Sequence, residues 1–300
     1  MTSEIKLTFL GTADQIPSAD RNHTAILLSY EGENILVDCG EGTQRQFRKA
    51  HLNPCKVTRI LITHWHGDHV LGLPGLLSTL SLSGYQKTLC IYGPRGTKEF
   101  IKEMLSVFGF KRKYEIKVEE VDGKFFDNGD FSLEAEQMEH GIPCNAYSFI
   151  KKGQIRIDKA KLKKFKIPEG PHLQNLKQGK DISINGKKFK AKDLTFKDEN
   201  KKISFVLDTK DNSKIVPFVK GSDILICESS FEKELKSQAI EHLHLTSDQV
   251  GEVAKKAGVK KLALTHLSQR YEKNPRLILN EAKKIFKNTI VVKDFDSILV

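Results

Sequence analysis

RILITHWHGDH, residues 59–69, is the stretch on which the reading of this chain turns. Arg59–Thr63 is an apolar, β-branched run of strand length, and it passes without a linker into His64-Trp65-His66-Gly67-Asp68-His69, an HxHxDH turn. Imidazole nitrogens and a carboxylate suit a borderline divalent ion such as Zn²⁺, and a tight turn gathers them at little ordering cost. Adjacent Asp68 and His69 project differently from His64 and His66, so two ions accommodate the four donors better than one. A two-metal site is expected.

Outward from this turn, IKLTFLG (5–11), TAILLSYEG (24–32) and ENILVDCGEG (33–42) read as strands before it. VLGLPGLLSTLSLSG (70–84) carries leucines at helical spacing, TLCIYGP (88–94) is strand-like, and TKEFIKEMLSVFGF (97–110) is helix-like. The second half repeats the style. KKISFVLDT (201–209), SDILICESS (222–230) and KKLALTHLS (260–268) read as strands, and TSDQVGEVAKKAGV (246–259) and PRLILNEAKKIFKN (275–288) as helices. Thr246 and Gln249 have capping-box spacing. Two strand-and-helix halves of similar size predict an α/β protein with two sheets and outer helices.

The 300 residues are 39% apolar and 29% charged with 17 Phe, a globular composition that excludes collagen-like, coiled-coil and disulfide-stapled classes. Forty-nine Lys plus Arg against 38 acidic residues give +11, which favours an anionic partner, nucleic acid or a membrane surface. Residues 151–202 hold 16 Lys and 1 Arg against 6 acidic residues, so this one segment contains the whole surplus. Five scattered cysteines without a CxxC pair argue against a disulfide framework and a thiolate zinc site. The opening MTSEIKLTFLGT lacks a secretory h-region, and no apolar run approaches the roughly 20 residues of a membrane span. A cytoplasmic setting is expected.

Beyond HxHxDH, the chain carries FLGT (9–12), Arg21-Asn22, VDCGEGTQRQ (37–46), an isolated His140, LDT (207–209), HLT (244–246) and LTHLSQRY (264–271). With these it resembles the metallo-β-lactamase superfamily and, within it, the ribonuclease Z family, over nearly its whole length. The resemblance implies a four-layer αββα sandwich and zinc-dependent removal of the 3′ trailer from precursor tRNA, leaving a 3′-hydroxyl on the tRNA. It implies two Zn²⁺ per subunit: His64, His66 and His140 on the first, Asp68, His69 and His266 on the second, and Asp208 between them. Mn²⁺ and Fe²⁺ accept the same ligands. Asp68 is the expected group to orient the attacking water, and His244, oriented by Glu228, the expected proton donor to the leaving oxygen. Asp38 is read as a supporting carboxylate, and His242, two residues before His244, as surface.

The same resemblance makes 151–202 an inserted arm that grips the tRNA by its phosphates. GPHLQNLKQG (170–179) matches the family's arm signature, which implicates Gly170, Pro171, Leu176, Lys177 and Gly179 in RNA binding, and Arg270 is implicated from LTHLSQRY. A homodimer is implied too, with the leucine-rich 70–84 as a candidate interface beside its bland reading as core. The chain departs from the family pattern at Ala19, Leu207, Cys227-Glu228-Ser229-Ser230 and Leu245, and none of these changes removes an expected ligand. The competing reading is a small-molecule metallo-hydrolase of the same fold, a β-lactamase, lactonase or phosphodiesterase.

Overall fold

The structure, a computed structural model, describes residues 4–108, 113–184 and 186–300. Strand Arg59–Leu61 lies inside a seven-stranded sheet of spatial order Ser297–Leu299, Lys6–Gly11, Ala25–Tyr30, Glu33–Val37, Arg59–Leu61, Leu89–Gly93, Ile116–Glu120. Its two neighbours both run parallel to it, and Ile60, Leu61 and Ile62 are buried. Coverage of both faces is why this stretch is continuously apolar rather than alternating.

A second seven-stranded sheet runs Thr289–Val291, Leu262–Thr265, Ile224–Glu228, Lys201–Val206, Ile142–Lys151, Phe131–His140, Gly123–Asp127. The four strands from 201 onward pair in parallel. The sheets pack face to face: Tyr147 donates a hydrogen bond to the Ile62 carbonyl (2.7 Å), Thr63 accepts from the Asn145 amide (2.9 Å), and the Tyr30 and Phe149 rings meet edge-on at 5.6 Å.

Helices Thr43–Lys49, Leu73–Leu82 and Thr97–Phe108 cover the first sheet, and Ile215–Val219, Ser247–Ala257 and Arg276–Ile285 the second. The result is the four-layer αββα sandwich. Leu73, Leu76, Leu77 and Leu80 are fully buried, so the leucine-rich segment is core, and only its flanks, Leu71 and Leu82, are exposed. The capping box of Thr246 and Gln249 is formed. The helix expected over 97–110 runs to Phe108, and 109–110 lie outside the described residues. The strands of 116–151 were not anticipated: in IKVEE and FSLEAEQMEH charged residues interrupt the apolar run, whereas IPCNAYSFIK (142–151) is buried at six consecutive positions.

Residues 126–132 and 150–201 form a second compact unit. Its core is Leu162, Ile167, Leu176, Ile182, Ala191 and Leu194, with two two-stranded sheets and three short helices around it. Leu176 is fully buried there. It shapes the unit and has no exposed surface to offer RNA, unlike the contact residue expected from the sequence. All five cysteines are free, and among the described residues no helix is long and apolar enough to cross a membrane.

Leu176→Ala is expected to cost this unit about 2–5 kcal/mol. Limited proteolysis is then expected to cut within 150–201 first, and unchanged resistance there would show that the cluster does not hold the unit together.

Candidate metal centre

Within two residues of three buried strand ends, Asp38, Asp208 and His266 adopt positive φ of 57°, 53° and 55°. A left-handed backbone at a residue bearing a side chain costs about 1–2 kcal/mol. It persists here because close packing over-determines it. One clamp is visible at Gly40 and Gly72: a Cβ on Gly40 would fall 2.3 Å from the Asp68 carbonyl, and one on Gly72 would fall 2.0 Å from the Gly40 carbonyl. Only glycine lets the 38–42 loop and the histidine turn touch backbone to backbone. Arg21 and Asn22 brace the same region, Arg21 donating to Thr12 Oγ1 and the Val292 carbonyl (2.6 and 2.7 Å), Asn22 Nδ2 to the Glu41 carbonyl (2.6 Å).

The turn of 64–69 thereby meets His140, Asp208 and His266. His64, His66, His140 and Asp208 form one group of candidate ligand atoms within 4.8 Å of one another, and Asp68, His69, Asp208 and His266 a second. These are the two sets expected from the sequence, joined through Asp208. Asp208, Glu228, His244 and His266 make a third such group.

Each ring is turned by its outer nitrogen. His69 Nδ1 donates to Asp38 Oδ2 (2.7 Å), and Thr63 holds that carboxylate through its hydroxyl and amide (2.8 and 2.7 Å). Because the Thr63 hydroxyl proton goes to Asp38, its oxygen accepts from His64 Nδ1 (3.0 Å). His140 Nδ1 donates to the Leu243 carbonyl (3.0 Å). Ser230 Oγ lies 2.9 Å from both His266 Nδ1 and Glu228 Oε2, so the ring donates to the hydroxyl and the hydroxyl to the carboxylate.

The inner nitrogens are then left with lone pairs. His66 Nδ1 stands 3.0 Å from His64 Nε2 and 3.2 Å from His140 Nε2. His69 Nε2 is 3.2 Å from oxygens of both Asp68 and Asp208, yet it and Asp208 Oδ1 are buried without a hydrogen-bond partner among the described residues. Buried orphan donors and acceptors are costly, and acceptors converging at this spacing match the edges of a shell of nitrogen and oxygen ligands around a divalent ion. The donor set fits such ions.

With no ion bound, and against the lowering effect of burial, the carboxylates around His69 and His266 push both rings up toward the imidazolium form. Against its own burial, the Asp68 carboxyl is held by these two charged rings well below the usual carboxylate range, and a bound divalent ion would take the place of those protons. Burial and then the neighbouring His69 push His64 well below the ordinary imidazole value, favouring the neutral ligand form. Burial also lowers His244, but the Glu228 carboxylate, 2.9 Å from Nδ1, outweighs it and brings the ring up to about 9.

His66, Asp68, His140, Asp208, His244 and His266 open on one cleft of about 620 Å³, together with Asp14, Phe231, His242 and Arg270. Glu228 is fully buried, with its Oε2 2.9 Å from both His244 Nδ1 and Ser230 Oγ, in keeping with the orienting role expected of it. His242 is exposed, as expected, but it follows helix Lys236–Glu241 instead of lying in an extended segment, and its ring lies parallel to that of Phe231 at 6.2 Å, on the cleft wall. Thr63, Ser230, Phe231 and Asp14 were missed, since isolated hydroxyls, a phenylalanine and a lone acid carry no spacing signal. The departures at Leu207, Cys227 and Leu245 are all fully buried, and Cys227 and Leu245 belong to the core under the second sheet's helices, away from the cleft lining.

Comparison with known proteins gives several matches. The chain is 39% identical to ribonuclease Z of Archaeoglobus fulgidus over 98% of its own length and 97% of that protein, and 39% identical to ribonuclease Z of Oceanobacillus iheyensis over 97% and 98%. The crystal structure of human tRNase Z, short form, superposes with a TM-score of 0.72 at 28% identity, covering 98% of each chain. A family model described as anti-Pycsar protein Apyc1 matches residues 5–140.

Ser230→Ala leaves His266 Nδ1 without its acceptor and is expected to lower divalent-metal affinity by about 10–100-fold, with Ser230→Thr restoring it. Metal competition with a chromogenic chelator measures this, and equal affinities in all three proteins would rule the arrangement out.

Proposed function

The chain belongs to the ribonuclease Z family, and from that premise we propose that it is a metal-dependent endoribonuclease that removes the 3′ trailer from precursor tRNA. One phosphodiester bond is hydrolysed and a 3′-hydroxyl remains on the tRNA. The observation that carries this reading is the pair of ligand groups sharing Asp208 at the floor of a cleft that His244 also lines.

His64, His66 and His140 would hold one Zn²⁺, Asp68, His69 and His266 the other, with Asp208 common to both. Two such ions, when bound, polarise the scissile phosphodiester and make a water nucleophilic near neutral pH. Mn²⁺ or Fe²⁺ would be accepted by the same donors. The Asp68 carboxylate accepts a hydrogen bond from the attacking water and aims it. His244, charged at neutral pH through Glu228, gives its proton to the departing 3′-oxygen. Glu228 also accepts from the Thr209 amide (2.7 Å), so one carboxylate fixes both the proton donor and the turn that carries Asp208.

Binding is assigned to other residues. Gly170 and Pro171 open helix His172–Lys177, Gly179 closes it at a φ of 74°, and Lys177 lies in its last turn. With the surrounding lysines they form an arm that neutralises RNA phosphates, giving salt-sensitive binding. Arg270 is exposed and lines the cleft, which supports a contact with RNA next to the scissile bond. The working form is a cytoplasmic homodimer.

The test is cleavage of a trailer-bearing precursor tRNA, with a small phosphodiester and a lactam as controls. Asp68→Ala is expected to lose every activity. His244→Asn is expected to lower kcat by about 10²–10⁴-fold with metal content unchanged. Deleting 151–202 is expected to abolish tRNA cleavage and spare the small phosphodiester. Turnover of a small substrate with no cut in precursor tRNA would instead establish a small-molecule hydrolase.

A further inference from the structure

The tetrapeptide Lys-Lys-Phe-Lys occurs twice in the lysine-rich segment, at 163–166 and at 187–190. The first follows from the last turn of helix Lys159–Lys164, and the second includes strand Lys187–Phe189. The fold brings the copies together: the Phe165 and Phe189 rings meet at 5.9 Å and 60°. Lys164 Nζ stands 5.9 Å from the Phe165 ring centre and Lys187 Nζ 5.6 Å from that of Phe189.

Phe189 packs on the unit's core, but Phe165 is 43% exposed. The unit's apolar cluster is small, and covering that ring would stabilise it further, so the exposure is a cost. None of the six lysines of the two tetrapeptides has an ion-pair partner among the described residues. An apolar ring face set among unpaired ammonium groups is complementary to a polyanion that carries flat bases. An acidic peptide would use the lysines and leave the ring idle.

We propose that the two Lys-Lys-Phe-Lys segments form one RNA-docking surface, in which Phe165 stacks on an unstacked base while the flanking lysines bind the adjacent phosphates. This deepens the reading of the chain as a tRNA-processing enzyme and rests on it. Stacking tolerates any base, so the surface recognises exposed bases rather than a sequence. It also adds a share of affinity that salt does not screen, which lysines alone cannot supply.

The experiment measures binding of the full-length protein to precursor tRNA and to a blunt RNA duplex of equal length across 50–200 mM salt. Phe165→Leu keeps apolar volume and removes the aromatic face. It is expected to bind precursor tRNA about 10-fold more weakly with an unchanged salt slope, to bind the duplex as wild type does, and to hydrolyse a small phosphodiester at the wild-type rate. Phe165→Tyr is expected to bind as wild type. Lys163→Ala, Lys164→Ala and Lys166→Ala combined are expected to flatten the slope by about 2–3. Wild-type affinity in Phe165→Leu, equal losses on both RNAs, or a changed oligomeric state with unchanged RNA affinity would each overturn the proposal. Absence of salt-dependent tRNA binding by the wild-type protein would sink the tRNA reading itself, a separate and visible outcome.

Discussion

A single buried carboxylate sets the terms for this molecule. Asp208 is 2% exposed, and its oxygens lie 3.2–3.7 Å from ring nitrogens of His64, His69, His140 and His266. An anion and four imidazoles that offer it lone pairs cannot share a dry site without positive charge between them. The surrounding structure is arranged to prevent the rings from escaping that conflict. Asp38, the Thr63 hydroxyl, the Leu243 carbonyl and Ser230 each hold one outer nitrogen, which fixes ring orientation and tautomer before any ion arrives.

The sheets explain how such a site can be rigid. Parallel strands buried on both faces end together along one edge, and the loops beyond them converge there. Strand alternation then sorts neighbours by task. In strand Ile224–Glu228, Cys227 faces the helical layer and its core, while Glu228 turns toward His244 and Ser230. A change at 227 therefore stays in the core, whereas 228 links the His244 ring through Ser230 to that of His266.

Catalysis and grip rest on different physics. The cleft works by fixed dipoles and charges at hydrogen-bond distances, where displacement of about an ångström is expensive. In the proposed reading the lysine-rich unit would work by screened, long-range attraction that needs no exact register, and by an aromatic face that needs only a base to lie on it. A small core of its own is enough to present both.

The sequence by itself determined the turn at 64–69, its ligand types, the strands and helices with strong apolar runs, and the location of the positive charge. These are local properties, readable because period and composition act within a few residues. It could place His140, Asp208 and His266 in the site only through resemblance, since nothing within their own neighbourhoods distinguishes a ligand from a structural residue. Tertiary structure alone decided that Ser230 and Thr63 orient rings, that His242 lines the cleft, that Leu176 is core, and that Phe165 meets Phe189. Each of these depends on pairing between residues far apart in the chain, down to the register that seats Ser297–Leu299 beside Lys6–Gly11. Contacts of that kind come from packing and loop closure over long separations, and no local pattern encodes them.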